Sequence, residues 1–454
     1  MLRTRSEGRR ARHAASMLAV IALWALPWTA RADDGAPPED WNAKFQSTYI
    51  WQHQPSFNAL YSGINSLPTH AADAYTFSFT AAFGKRLWDG AEAYFDPEAI
   101  QGAPLSPNLV GFGGFYNGEL TRVSGAHLTI YRARLFIRQT WGQGGGREDV
   151  PSAMNQLGGA VDRNRIVLTA GNFAVLDIFD NNRYAHDPRT QFMNWCNMAS
   201  CAFDYPADTR GYTWGFALED YEGGWVYRFG QFMQPRYPNG LALDGQFFRH
   251  YGQVFEIVHA HVMGGREGKV RLLAYRDAIR AGSYYDAMAS PAFATDSAAG
   301  IPATAAVRRD AVKYGLGYNV EQSIAADVGL FSRAMWQDGR YETYAFTAVH
   351  RSFSVGVALG GRRWMRDRDT AGVAYLRNAL SGIYRQYLAA GGLGYFIGDG
   401  KLNYADEQIV EAYYSIGVGA GASVTADYQY IRAPAYNADR GPLAIVGARL
   451  HWEN

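Results

Sequence analysis

The sequence predicts an all-β protein, an antiparallel transmembrane β-barrel of about 16 strands whose loops fold inward to constrict a water-filled channel. Three observations predict it. Polar and apolar residues alternate with a period of two in segment after segment of the chain, which puts one face of each strand in water and the other in oil. Beyond the N-terminal region no stretch of about 18 apolar residues occurs, so the chain does not cross a membrane as helices. Aromatic residues nevertheless make up 15% of the chain, with 30 Tyr, 24 Phe and 12 Trp beside 50 Gly, a composition suited to a barrel with a lipid-facing surface and a hydrated interior.

The N-terminus reads as an export signal over residues 1–32. Arg3, Arg5, Arg9, Arg10 and Arg12 form a cationic start, Met17 to Trp28 an apolar core too short to span, and Ala30-Arg31-Ala32 a small-residue cleavage site before Asp33. Residues 33–40, with Gly35, Pro37 and Pro38, read as a disordered lead-in, and 41–454 as the barrel domain. By length alone two or three soluble domains are expected, but neither a second domain nor a repeat interrupts the alternation. Lys and Arg number 43 against 42 Asp and Glu, a net charge of +1, which gives no ground for nucleic acid or an anionic membrane surface as partner.

The alternation is sharpest in a few segments. In Ala91 to Ala99, Glu92, Tyr94, Asp96 and Glu98 oppose Ala91, Ala93, Phe95 and Ala99. From Thr129 to Thr140, Tyr131, Ala133, Leu135 and Ile137 share a face, and Arg132, Arg134 and Arg138 the other, with Phe136 the exception. Ser423, Thr425, Asp427 and Gln429 oppose Val424, Ala426, Tyr428 and Tyr430, and Arg449, His451 and Glu453 oppose Val446, Ala448, Leu450 and Trp452. Rows of charge repeated over many strands are what a hydrated lumen requires.

Similar segments lie near 41–52, 74–87, 90–100, 127–140, 163–172, 212–220, 224–233, 252–263, 268–278, 308–320, 323–336, 341–350, 353–361, 369–378, 408–418, 422–432 and 442–453. Bacterial single-chain barrels have an even number of strands, so one of these is not a strand, and we expect sixteen. Tight turns at Trp88-Asp89-Gly90, Glu222-Gly223-Gly224 and Gly264-Gly265-Arg266 contrast with long connections at 141–162, 173–211, 279–307 and 379–407, the short and long ends of an outer-membrane barrel.

Cys196 and Cys201, the only cysteines, sit in one long connection and are expected to form a disulfide in an oxidising compartment. His259 and His261 lie two apart on one strand face without a third ligand in view, so no metal is expected. Gly142 to Gly146 lacks the Lys-Ser/Thr of a phosphate loop and reads as a turn.

The long connection also carries a resemblance. The run TAGNFAVLDIFDNNRYAHDPRTQFMNW at 169–195, followed by FDYPADTRGYTWG at 203–215, resembles the carbohydrate-selective porin family of OprB type. So do YSGINSL at 61–67, YFDPEAIQG at 94–102, GGFYNGEL at 113–120, YRARLFIRQTWG at 131–142, GGLGYFIGDGKLNY at 391–404, EQIVEAYY at 407–414 and DYQYIRAPAYNADRGP at 427–442. The resemblance spans nearly the whole chain after the signal. It implies a Gram-negative outer-membrane barrel in lipid, placed there by the barrel assembly machinery, that admits monosaccharides or short oligosaccharides passively and needs no cofactor. Barrels of this kind usually end on an aromatic residue, whereas here Trp452 is followed by Glu453 and Asn454.

A neutral sugar needs paired donors and acceptors to replace its hydration, an aromatic surface to slide along, and binding weak enough to release it. Arginine beside carboxylate supplies the first. The connection 173–211 holds Asp177, Asp180, Asn181, Arg183, Arg189, Trp195, Asp204 and Arg210, and a connection of that length without secondary structure is usually functional. It is expected to fold inward as the constriction, faced by Glu98, Arg132, Arg134, Arg138, Arg165 and Arg228 from the wall. The same charges could instead tie the loop to the wall. Catalysis is not expected: Asp177 with Asp180, or Glu92 with Glu98, could be imagined as a glycosidase pair, but no serine or cysteine nucleophile has a persuasive His/Asp arrangement. The alternative function is export of a polysaccharide, since lumen arginines also suit an acidic polymer.

Overall fold

The computed structural model describes residues 38–120 and 125–454; the expected signal 1–32 and residues 33–37 of the expected lead-in lie outside them. Sixteen antiparallel strands close a barrel. They are β1 (Trp41–Gln54), β2 (Ala72–Trp88), β3 (Ala91–Ala103), β4 (Thr129–Gly142), β7 (Arg165–Phe173), β8 (Thr213–Glu222), β9 (Trp225–Met233), β10 (Tyr251–Met263), β11 (Arg266–Ala281), β12 (Arg309–Ala325), β13 (Val328–Gln337), β14 (Arg351–Gly360), β15 (Thr370–Ala379), β16 (Glu407–Gly417), β17 (Ala422–Arg432) and β18 (Leu443–Glu453), while β5 (Arg147–Val150) and β6 (Gly159–Asp162) form a separate hairpin. Each strand pairs with its neighbour in the chain, and β1 pairs with β18 from Gln46↔Glu453 to His53↔Val446, which leaves no open edge in the membrane.

Alternation builds the wall as the sequence predicts. On β17, Thr425, Asp427 and Gln429 are buried inward while Val424, Ala426, Tyr428 and Tyr430 are exposed. Phe79, Leu135, Ile257, Leu272, Leu330 and Val373 are exposed along the outside. Trp41, Trp88, Trp141 and Trp225 sit toward one rim, Trp51, Trp214 and Tyr314 toward the other, the aromatic girdles of a barrel in a bilayer. Among the described residues no helix is long and apolar enough to cross a membrane.

The two ends differ. Two-residue turns at Asp89-Gly90, Gly223-Gly224 and Gly264-Gly265 join strands at the end that also holds the start of β1 and the end of β18. Gly223, Gly224, Gly264 and Gly265 all have positive φ, which the sharp twist of such hairpin turns requires. Short turns and both ends of the strand series mark the periplasmic side. The connection after β4, expected among the long loops, also lies at this end and folds as the β5–β6 hairpin. Of the expected lead-in, residues 38–40 are not free: the Glu39 backbone N–H donates to Gly158 O at 2.9 Å and its carboxylate accepts from Gly158 N at 2.7 Å.

The segment 341–350 is the seventeenth candidate, and it is not a strand. Tyr344, Ala345, Phe346, Ala348 and Val349 are buried together because the segment is a loop packed inside the barrel, with Phe346 N donating to Asn239 Oδ1 at 2.7 Å and Ala348 N to Gly113 O at 2.9 Å. It joins residues 105–120, 173–212 and 380–404 in an apolar core that fills much of the lumen, around Phe115, Phe179, Phe192, Trp195, Tyr384 and Phe396.

Wall side chains pin this irregular backbone. Glu407 accepts from Gly113 N, Gly114 N and Ala435 N at 2.9–3.0 Å. Glu411 accepts from Met193 N and Asn194 N. Arg449 donates to Pro188 O and Gln191 O at 2.8 and 2.7 Å, and Arg333 to Asn197 O at 2.7 Å and Ala185 O at 2.5 Å. Replacing Arg333 with Leu leaves those carbonyls and Asp180 buried without their cation, so unfolding of the variant in lipid vesicles, followed by tryptophan fluorescence in urea, should show a loss of about 3–5 kcal/mol.

Candidate pore constriction

Between the inward loop and the wall of β3, β4, β7, β8 and β9 lies a cavity of about 1380 Å³. Its wall residues follow from strand parity: Glu92 and Glu98 on β3, Arg134, Phe136, Arg138 and Thr140 on β4, Arg165 and Val167 on β7, Glu219 and Tyr221 on β8, and Arg228 on β9. The loop contributes Asp177, Asn181, Asp187, Arg189, Tyr205, Arg210 and Tyr212 from the other side.

Three arginines in this space each lie between two carboxylates. The Arg134 fork donates to both Asp177 oxygens at 2.7 Å and reaches Asp96 at 3.3 Å. Arg189 pairs with Glu98 at 3.0 Å and Glu119 at 2.9 Å, and Arg228 with Glu219 at 2.8 Å and Glu256 at 2.7 Å. Glu98 further accepts from the hydroxyls of Thr80 at 2.6 Å, Tyr212 at 3.3 Å and Tyr131. Burial works against the charge on Arg189, yet Glu119 and Glu98 hold its pKa well above the ordinary value. Burial likewise opposes ionisation of the neighbouring Asp187, but the Arg189 guanidinium, the Arg189 N–H and the Thr190 hydroxyl keep its carboxyl below the ordinary value.

The remaining cavity arginines are held differently. Arg165 stacks over Tyr221 at 4.0 Å and pairs with Glu148 of β5 at 2.8 Å. Arg138 donates to Asn155 O at 2.9 Å and lies over Tyr94. Arg210 lies 4.4 Å over the Tyr131 ring, its Nε buried without a hydrogen-bond partner. Charges of both signs thus alternate with tyrosine faces along one side of the lumen.

The family described as carbohydrate-selective porin, OprB family, matches residues 71–453. The chain belongs to that family. It is an outer-membrane porin that lets carbohydrates diffuse passively into the periplasm, and the match does not favour polysaccharide export. Among solved structures, the high-pH structure of Pseudomonas putida OprB superposes with a TM-score of 0.68 at 17% identity, over 91% of this chain and 94% of that one. Its low-pH structure gives 0.49 at 12% identity over 91% and 93%, and the outer-membrane channel DcaP of Acinetobacter baumannii gives 0.49 at 9% over 94% and 100%. No protein with a curated description matches the chain.

Of the residues expected to line the porin's channel, Glu98, Arg134, Arg138, Arg165, Asp177, Asn181, Arg189, Trp195, Arg210 and Arg228 border this cavity, though Trp195 is almost wholly buried against Phe115 and Phe346. Four do not. Asp180 is buried against Arg333, accepting from Ser200 N and Asn319 Nδ2. Asp204 is buried against Lys313 and accepts from Tyr344 N and Ala345 N. Both carboxylates fasten loop to wall, and Asp180 forms no acid pair with the Arg134-bound Asp177. Arg183 is exposed, 3.9 Å from Glu267.

Arg132 faces outward. On β4 the pairing runs Asp96↔Arg134 and then Pro97↔Arg132, so Ala133 is an extra, unpaired residue. This bulge breaks the alternation: Tyr131 turns to the lumen, and Arg132 swings onto the outer face over Trp214, at 5.1 Å, with Nε 3.3 Å from Asn172. Cys196 and Cys201 are bonded within the inward loop. His259 stacks on Trp225 on the outer surface at 4.1 Å, and no metal-binding cluster exists among the described residues.

Sequence reasoning missed Asp96, Glu119, Tyr131, Tyr212, Glu219 and Tyr221. Glu219 and Tyr221 were recoverable from parity, sharing the inward face of β8 with Ala217; Tyr131 was not, because the bulge leaves no mark in the sequence. Arg134→Ala removes a cation from between two carboxylates and should shift the open channel toward cations in planar bilayers, whereas Arg132→Ala should leave ion selectivity unchanged.

Proposed function

We propose that sugars cross this porin along the face formed by Arg134, Arg189, Arg210 and Arg228, that the preferred solute is an uncharged monosaccharide or short oligosaccharide, and that the channel carries no catalysis of its own. The observation that carries this reading is the placement of Arg134, Arg189 and Arg228 each between two carboxylates beside Tyr131, Tyr212 and Tyr221. Fixed donors and acceptors set side by side exchange for the hydration of neighbouring hydroxyls. Tyrosine rings accept the apolar faces of a sugar. Carboxylates outnumber the arginines they flank two to one, so this face attracts no anion and leaves a neutral solute the better fit.

The carboxyls that could be imagined as a hydrolytic pair are engaged elsewhere, which supports a channel without catalysis: Asp177 is bound by Arg134, Asp180 by Arg333, Glu92 accepts from the Tyr94 hydroxyl, and Glu98 takes four hydrogen bonds. The exposed apolar band and its tryptophan rims support direct contact with lipid, and insertion by the barrel assembly machinery is carried over from the family.

Liposome swelling tests the reading. Glucose and maltose should enter faster than an amino acid of similar size, and equal rates for all three would make this a general pore. The Arg210 guanidinium, which forms no ion pair within 4.0 Å among the described residues, has donors to give a passing solute. Its loss in Arg210→Ala should weaken glucose block of single-channel current about tenfold, the worth of one charge-assisted hydrogen bond.

A further inference from the structure

Two residues suffice to join adjacent antiparallel strands, as at four other periplasmic turns of this barrel. Between Gly142 at the end of β4 and Arg165 at the start of β7 the chain spends residues 143–164. Closure of the barrel does not need them. The β5–β6 hairpin they form is turned back under the wall, so that Ser152, Met154, Asn155 and Leu157 of its tip border the periplasmic end of the cavity.

The tip is fastened from several sides. Leu157 is buried beside Tyr94, whose hydroxyl accepts from Leu157 N at 3.1 Å. Asn42 Nδ2 donates to Gln156 O at 2.9 Å and Ser152 Oγ at 3.2 Å. Glu39 holds Gly158 from both its backbone and its carboxylate. Asn155, at the turn, adopts φ +56°, a left-handed conformation that asparagine tolerates better than most residues and that is retained where the surroundings impose it.

Asn155 also stands between charged wall residues. Its Nδ2 donates to Asp96 Oδ2 at 2.9 Å and its carbonyl accepts from Arg138 Nη1 at 2.9 Å. That leaves Asn155 Oδ1 and Asp96 Oδ1 buried without a hydrogen-bond partner, and Arg138 with no carboxylate within ion-pair distance among the described residues. Those two oxygens are closed off from a solute, but Asn155 and Arg138 both border the cavity, and the Arg138 guanidinium, held over Tyr94 by the Asn155 carbonyl, keeps further donors for the oxygens of a neighbouring pair of hydroxyls.

We propose that the 147–162 hairpin is a second constriction on the periplasmic side of the channel, with its own sugar subsite formed by Asn155 and Arg138. A solute leaving the upper arginine–carboxylate stage is taken up by this lower one before release, so two weak stages in series replace one strong one. The subsite rests on the reading of the channel as a sugar path; the constriction does not.

Three variants in planar bilayers test it: removal of residues 147–162 with a glycine turn in their place, Met154→Trp, which enlarges the tip without touching its fastenings, and Asn155→Ala. In salt alone, removal should raise open-channel conductance and Met154→Trp should lower it. With glucose added from the periplasmic side, Asn155→Ala should shorten the block about tenfold and leave the response to glucose from the other side much less affected. If the shortened barrel does not fold, as judged by heat-modifiable migration, Met154→Trp and Asn155→Ala still decide. Unchanged conductance in Met154→Trp overturns the constriction, and unchanged periplasmic-side block in Asn155→Ala overturns the subsite. Failure of the sugar reading shows itself separately, as an absence of glucose block in the unaltered channel.

Discussion

Backbone polar groups at membrane depth must find partners, and this constraint governs how the interior is built. A strand meets it through its neighbours in the barrel, but an irregular loop folded into the lumen cannot. Here the wall answers with side chains. Carboxylates of Glu407, Glu411, Glu256 and Glu321 accept loop N–H groups, while Arg333 and Arg449 donate to loop carbonyls. Each such bond joins a rigid strand to a segment without secondary structure, and the loops in turn bury an apolar core of their own. The lumen is therefore mostly protein interior, and the channel is what the loops leave open.

That division is spatially uneven. The anchoring residues named above come from β10, β12, β13, β16 and β18, whereas most strand residues that border the cavity come from β3, β4, β7, β8 and β9. Loop 173–212 leans on one half of the wall and leaves a gap against the other. The same residue types serve both halves with opposite consequences. Arg333, buried and committed to carbonyls, is structural, while Arg134 and Arg189, facing open space between carboxylates, keep their polarity available to a solute.

Placing Arg134, Arg189 and Arg228 each between two acids also answers a conflict. A lumen lined by unpaired cations would concentrate anions and repel one another across the channel, while a fully apolar lumen would not replace a sugar's hydration. Arginines set among carboxylates keep strong, directional hydrogen-bonding groups without concentrating anions. The tyrosines that complete the surface are held to the same carboxylates: Tyr131 and Tyr212 to Glu98, Tyr221 to Glu219, so their rings are fixed where they face the path.

The barrel itself was legible in the residues, because alternation across a strand is local: the face of Asp427 or Tyr428 follows from its position relative to its neighbours, whatever the rest of the chain does. Strand number, the tight glycine turns and the inward fate of 173–211 came from the same local patterns and from the long motifs shared with a known family. What tertiary structure alone decided was the use of each lumen charge. Asp177 and Asp180 stand three residues apart in one loop, yet one meets Arg134 in the channel and the other Arg333 in the core, because their partners lie on distant strands. The run 341–350 alternates like a strand but packs as a loop, since an apolar residue suits either a lipid face or a filled lumen. The bulge at Ala133, which sends Arg132 to the outer face and Tyr131 into the channel, arises from the register between β3 and β4, a relation between two strands that neither strand's sequence contains.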